Sequence, residues 1–307
     1  MNQQQPLQFN NIISRSYSNT TSDFLNSNSI IAKLSFLLLV LLLFVFLLRL
    51  GINLLGIYFS PSPNPMLING MIEANKGMVT ITQDPTISTS IPIIRSSNGE
   101  YGIEFTWCVW IYISNSSDAD KYRCIFYKGE LFNDNIDTLR RGTLYTLDNS
   151  GIDYTKQGLN FPNNGPGLYL SPYATTPNEL IVLMNTYSDI NDEISIQDIP
   201  IEKWCNVIIR CEGNTLDVYI NGTITKSKQL IGVPKQNNGD VYVAANGGFN
   251  GYISNLQYFN HALNTNEIVK IVKKGPNIKM INNSANTMNM KNPNYIALNW
   301  FIQDNIA

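Results

Sequence analysis

Tyr187, Asp189, Asn191, Asp192 and Glu193 crowd side-chain oxygens into one short run. Hard cations such as Ca²⁺ take several oxygen ligands at once, so Asp189, Asn191 and Asp192 are the candidate metal ligands and calcium the candidate cofactor. Their spacing matches no EF-hand loop, and a solvated acidic turn accounts for the same residues. Sugar recognition asks for an aromatic face with amide partners beside it. Tyr169, Tyr173, Tyr187, Asn246 and Asn250 stand in or beside segments that read as loops, and Tyr173, Tyr187, Asn246 and Asn250 form the candidate ligand-binding set. Tyrosine and asparagine are frequent throughout this chain, which tempers that assignment.

Other chemistry has thin support. The single histidine, His261, would have to serve any Ser-His-Asp triad alone, and it reads as a turn residue. Cys205 and Cys211 lie on one predicted strand, separated by ~20 Å at ~3.3 Å per residue, so they do not bond to each other. If the strands carrying Cys108 and Cys124 form a simple hairpin, Cys108 faces Lys128 and that pair is out of register too. Buried thiols are the default, with a bridge between sheets as the alternative. A net charge of -2 provides no basic surplus for a phosphate backbone, which excludes nucleic acid as a partner.

These residues sit in a chain with a plain division of labour. Residues 1–28 are polar without apolar periodicity and read as a disordered arm. Residues 29–59 contain LSFLLLVLLLFVFLL (Leu34 to Leu48) and continue apolar beyond Arg49, long enough to cross a ~30 Å hydrocarbon layer as one helix. No A-x-A-like cleavage site follows, so the segment reads as an uncleaved single-pass anchor with the bilayer as a partner. Arg15 and Lys33 precede it, whereas beyond Arg49 the next charges are Glu73 and Lys76, which favours a cytoplasmic N-terminus and an external domain. Residues 60–66 form a Pro-rich spacer, residues 67–280 the folded domain, and residues 281–307 a tail ending in an apolar, aromatic docking segment, Tyr295 to Ile302.

The domain's pattern is all-β: short alternating runs between Gly, Asn, Asp and Pro clusters. Phe105, Trp107, Val109, Ile111 and Ile113 share one face of a strand buried on both sides; Cys205, Val207, Ile209 and Cys211 share the apolar face of a second strand whose Asn206 and Arg210 point the other way. Asn221-Gly222 between alternating runs predicts a type I′ hairpin. Asn264 and Glu267 predict a capping box on one short helix with Ile268, Ile271 and Val272 inward, packed on the sandwich edge. Asn19, Asn115, Asn221 and Asn282 each begin a formal glycosylation triplet, of which the last three would be usable on an external domain.

Four of these stretches together resemble the laminin-G-like branch of the concanavalin A-like lectin/glucanase superfamily. EFTWCVWIYI is similar to that family's opening core strand and YRCIFYKG to the next. IPIEKWCNVIIRCEGNTLDVYINGTITKS is similar to its Trp-led strand and Asn-Gly hairpin, and FNGYISNLQYFNHALNTNEI to its closing strand and helix. The likeness runs over residues 95 to 276. The Trp-His-His of the family appears here as Trp204-Cys205-Asn206, and its penultimate-strand Gly as Ala244-Ala245.

The resemblance implies an antiparallel jelly-roll sandwich, calcium at the rim in many relatives, and a glycan or protein ligand. Hydrolases of the superfamily carry E-x-D-x-x-E; the nearest string, Glu193 to Asp198, has Ser195 at its centre, so catalysis is not expected. Arm, anchor and domain together resemble membrane proteins of large double-stranded DNA viruses. That implies an alternative structural role in a virion membrane, with viral structural proteins as partners.

Overall fold

The computed structural model describes residues 29–87, 89–114, 121–131, 158–160, 163–173, 177–190 and 192–281. The arm (1–28), Asn115, Asn191, Asn282 and the aromatic docking segment of the tail lie outside these residues. Two units are distinguished, 1–60 and 61–307.

The first contains α1, Ile30–Phe59, a helix of 30 residues. At ~1.5 Å rise it is about 45 Å long, and its apolar side chains are exposed on every side from Ile30 to Leu55. A helix apolar all round has no solvent-facing stripe, and this one is long and apolar enough to span a membrane.

The second unit is a sandwich of two antiparallel sheets. Among the described residues its strands are β1 (Met71–Glu73), β2 (Val79–Ile81), β3 (Ser97–Gly99), β4 (Gly102–Ile113), β5 (Arg123–Gly129), β6 (Gly167–Leu170), β7 (Leu180–Met184), β8 (Asp192–Ile196), β9 (Trp204–Glu212), β10 (Thr215–Ile220), β11 (Thr223–Gln229), β12 (Asp240–Val243) and β13 (Gly251–Phe259), followed by helix α2 (Thr265–Lys274). One sheet runs β1-β13-β4-β9-β10-β11 with β3 beside β4; the other runs β2-β12-β5-β6-β7-β8.

Period-2 alternation explains the core. Odd-numbered residues of β4 and β9 point between the sheets, where Trp107 stacks on Phe126 of the opposite sheet with ring centroids 5.2 Å apart. Their even-numbered neighbours Cys108, Trp110 and Ile208 face outward and are covered by Leu263, Ile268 and Val272. The capping box forms as predicted, but α2 lies across this outer face, not along the sandwich edge. The outward residues of β4 and β9 are themselves apolar, so they need a cover, and the helix stripe supplies it.

Asn221 (φ 51°) and Gly222 (φ 82°) make the I′ turn. Asn221 is also buried, its Oδ1 accepting the Asn206 backbone N–H at 2.8 Å, so this triplet is structural and not a sugar acceptor. β11 closes the seven-stranded sheet as a polar edge bearing Lys226 and Lys228, which discourages pairing with other strands.

Two expectations change. β4 and β5 belong to different sheets, so Cys108 and Cys124 are not on a hairpin; the chain crosses the core between them. Cys205 and Cys211 face the inter-sheet core, Cys108 the helix, and Cys124 the outer surface of the second sheet. All four are free thiols, and burial pushes each up to about 12. Tyr169, read as loop-borne, lies in β6 fully buried, with its hydroxyl donating to Asn164 Oδ1 at 2.6 Å.

Candidate ligand-binding site

The registers sort the loops into two rims. β4 starts at Gly102 and pairs antiparallel with β9 and β13; β5 ends at Gly129 opposite Asp240 of β12. Carrying these pairings through both sheets places the β2–β3, β7–β8 and β11–β12 connections at one end, rim I. The β1–β2, β6–β7, β8–β9 and β12–β13 connections lie at the other, rim II.

This arrangement divides the predicted residues. Tyr187, Asp189 and Asp192 belong to rim I, whereas exposed Tyr173, Asn246 in the turn Ala245–Gly247, and Asn250 belong to rim II. Asn250 is tied into the rim II backbone: its carbonyl accepts from Ser114 N at 2.9 Å and its Oδ1 from Asn75 Nδ2 at 3.4 Å. The four proposed sugar contacts therefore do not converge, because one aromatic is at each end.

The acidic run also separates. Asp192 begins β8 with its side chain fully buried, 2.6 Å from Lys228 Nζ, and Ile231 N donates to its second oxygen at 2.8 Å. Thr186 and Asp189 close a small turn, with Thr186 N donating to the Asp189 carbonyl at 2.7 Å. Asn191 lies outside the described residues. Asp192 is thus committed to a lysine, and no cluster of three His, Cys, Asp or Glu occurs among the described residues.

What rim I does hold is a recess. Its walls are the 93–96 segment between β2 and β3 and the 235–238 segment between β11 and β12; its floor is the end of the core at Phe105, Trp107, Met184 and Tyr258. The cavity measures about 130 Å³, close to the ~150 Å³ that accommodates a benzene-sized ring.

Lys128 lines this recess and the one adjoining it. On β5, Phe126 points into the core and Tyr127 out of it, so Lys128 takes the next inward position. Only 8% of it is exposed. Its ammonium donates to the Gly239 carbonyl, and its own backbone accepts from Gly165 N at 2.9 Å and Asn237 Nδ2 at 3.1 Å. The backbones cross here closely enough that a Cβ on Gly239 would collide with the Gly129 carbonyl.

Burial pulls the Lys128 ammonium from 10.5 down to about 8, with the field of Asp240 acting the other way. Arg95 and Lys235 join Lys128 in the lining, and no carboxylate lines this recess among the described residues. Asp84 and Asp240 stand in the adjoining recess on the far side of Lys128. Lys235 also lies 5.3 Å over the ring of Tyr187, which is 74% exposed, so the predicted platform borders the recess.

Lys128, Arg95 and Lys235 were not among the residues predicted from the sequence. A signal existed for one of them: in RCIFYKG the lysine falls in phase with inward Phe126, and a charged residue at a core position is rare without a purpose. Arg95 and Lys235 lie in irregular segments where no period marks a side chain's direction.

Comparison with known proteins agrees with the fold. Among solved structures, the receptor binding domain of botulinum neurotoxin D superposes with a TM-score of 0.44 at 12% identity, covering 66% of this chain and 43% of that one. The receptor binding domain of botulinum neurotoxin type G gives 0.39 at 14% identity, covering 69% and 46%. The chain thus spans less than half the length of these structures, and likeness at this level does not bear on ligands. No curated protein matches the chain in sequence. A family model described as the concanavalin A-like lectin/glucanases superfamily, of laminin G type, matches residues 89–269, more than half of the chain. It takes in β3 to β13 and the first half of α2, and the chain belongs to that family.

Proposed function

We propose that this chain is a membrane-anchored, non-catalytic recognition module that binds carbohydrate or protein through rim I. The observation that carries the reading is the recess itself: a ring-sized hollow opening on an exposed aromatic, with a buried lysine at its base. Such a site has a shaped apolar floor and a few fixed polar groups, the usual make-up of a binding site. Among the described residues its lining has no paired carboxylates of the kind glycoside hydrolysis uses. In the one string similar to a hydrolase motif, Glu193 sits on β8 but Asp198 falls beyond the strand's end, at a φ of 60°.

The anchor is α1, with the cation distribution favouring an external domain. A glycan-array screen of the full chain in nanodiscs tests the function. Binding that Tyr187→Ala reduces, without a change in melting temperature, supports the reading. A blank array together with no protein captured through rim I removes it.

One observation favours a second reading, a structural or assembly protein that contacts neighbouring proteins, as in the virion membranes that its layout resembles. Tyr187, Ile190, Ile231 and Val233 are exposed on the two packed rim I loops and form an apolar tip beside the recess. Chemical crosslinking in the native membrane distinguishes the two: stable protein neighbours joined through this tip, with no saccharide competing, would establish the assembly role.

A further inference from the structure

Resting on the recognition reading, the charges at rim I narrow the class of ligand. Three cationic side chains line the recess and no carboxylate does, among the described residues. Among the described residues, none of the three makes an ion pair. Lys128 is more than nine-tenths buried, and among the described residues its ammonium has one acceptor, the Gly239 carbonyl, for three donors. Asp240 acts on it from the adjoining recess without pairing with it; a buried ammonium with no direct ion pair is costly, and a leucine or methionine would fill the inward position of β5 at no such cost.

The position therefore holds a charge that the fold meets with one carbonyl and the field of Asp240, leaving donors over. Floor and mouth add the rest. Trp107, Phe105 and Tyr258 offer an apolar base of ring dimensions. At the mouth Asn237 and Asn238 bring amides, and Tyr187 lies beyond Lys235 as a face for a second ring.

We propose that the recess binds the acidic terminal ring of a saccharide, its carboxylate or sulfate set against Lys128 between Arg95 and Lys235, with the next ring over Tyr187. Charge-assisted hydrogen bonds to an anion complete the lysine's donors, and the CH face of the sugar covers the floor.

The test uses the full chain in nanodiscs of neutral phosphatidylcholine, titrated calorimetrically with three probes. These are a hyaluronan disaccharide with a carboxylate only, a sulfated N-acetyllactosamine with a sulfate only, and neutral N-acetyllactosamine. One acidic probe should bind at least about tenfold more tightly than the neutral one, a discrimination expected of a hydrogen-bonded charge. Whichever acid binds identifies the anion.

Lys128→Met should abolish that preference. The exposed-side double variant Arg95→Ala/Lys235→Ala should weaken it about tenfold and flatten its salt dependence. Neutral and acidic probes binding alike, with Lys128→Met without effect, would overturn the proposal and leave the recognition reading standing. No binding of any saccharide here, with a blank array, would overturn both.

Discussion

Lys128→Met exchanges an ammonium for a thioether of similar length at an inward position of β5. The charged lysine weighs against folding: burial takes it from 10.5 to about 8, and at ~1.4 kcal/mol per pH unit this is a penalty of about 3 kcal/mol near neutrality. Methionine removes that penalty and loses one hydrogen bond to Gly239, roughly 1 kcal/mol. The variant should therefore be about 2 kcal/mol more stable, a rise in melting temperature of roughly 4–8 °C for a domain of this size.

The sign can be checked against pH. For a lysine whose folded value is depressed, the penalty is fully present below pH 8 and is relieved as pH rises to 10.5. The groups that share the lysine's surroundings are Asp84, Asp240, Arg95 and Lys235. Wild type should gain on the variant over that window and, keeping the Gly239 hydrogen bond, finish about 1 kcal/mol ahead of it above. Thermal unfolding of the full chain in nanodiscs, followed by the fluorescence of buried Trp107 and Trp110, reads both quantities. A variant less stable than wild type at pH 7, or a gap that does not narrow toward pH 10.5, would show that Lys128 is a structural strut and not a strained binding group.

Further expectations concern the edges of the sandwich. Asp192 and Lys228 join β8 of one sheet to β11 of the other; a double-mutant cycle with Asp192→Asn and Lys228→Met should return a coupling of about 1–2 kcal/mol, moderated because Lys228 is 37% exposed. A coupling near zero would mean that apolar contacts alone hold that edge. Asn221→Ala removes the acceptor for the Asn206 N–H and a residue suited to φ 51°, and should cost about 1–3 kcal/mol in denaturant unfolding. A neutral result would make the hairpin independent of that side chain. Adding Ca²⁺ and then chelator should leave the melting temperature unchanged, since Asp192 is held by Lys228; a shift of several degrees would show that the β7–β8 loop rearranges to take the ion.

The fold was legible where periodicity carries direction. The odd positions of β4 and β9, the Asn221-Gly222 turn and the Asn264/Glu267 box each announce a local geometry that the surroundings then respect. What failed were statements about distance in space. Tyr173 and Tyr187 look alike in sequence, yet the strand pairings put them at opposite rims, and no local signal reports on that. Asp192 looked like a ligand in an oxygen-rich loop; its partner Lys228 is 36 positions away across two sheets. Arg95 and Lys235 come from connections whose course depends on close backbone crossings such as Gly129 over Gly239.

The four thiols have a use beyond packing. A cysteine held at about 12 is almost wholly protonated at neutral pH, and each is also closed to reagents by the core. Cys205 and Cys211 lie between the sheets, Cys108 beneath α2, and Cys124 on the outer face of the second sheet. Alkylation at each place therefore waits for a different opening: separation of the sheets, lifting of the helix, or exposure of the second sheet's outer surface. Mass-resolved labelling over time would turn the chain into a clock with three hands, timing the release of each layer without any added probe.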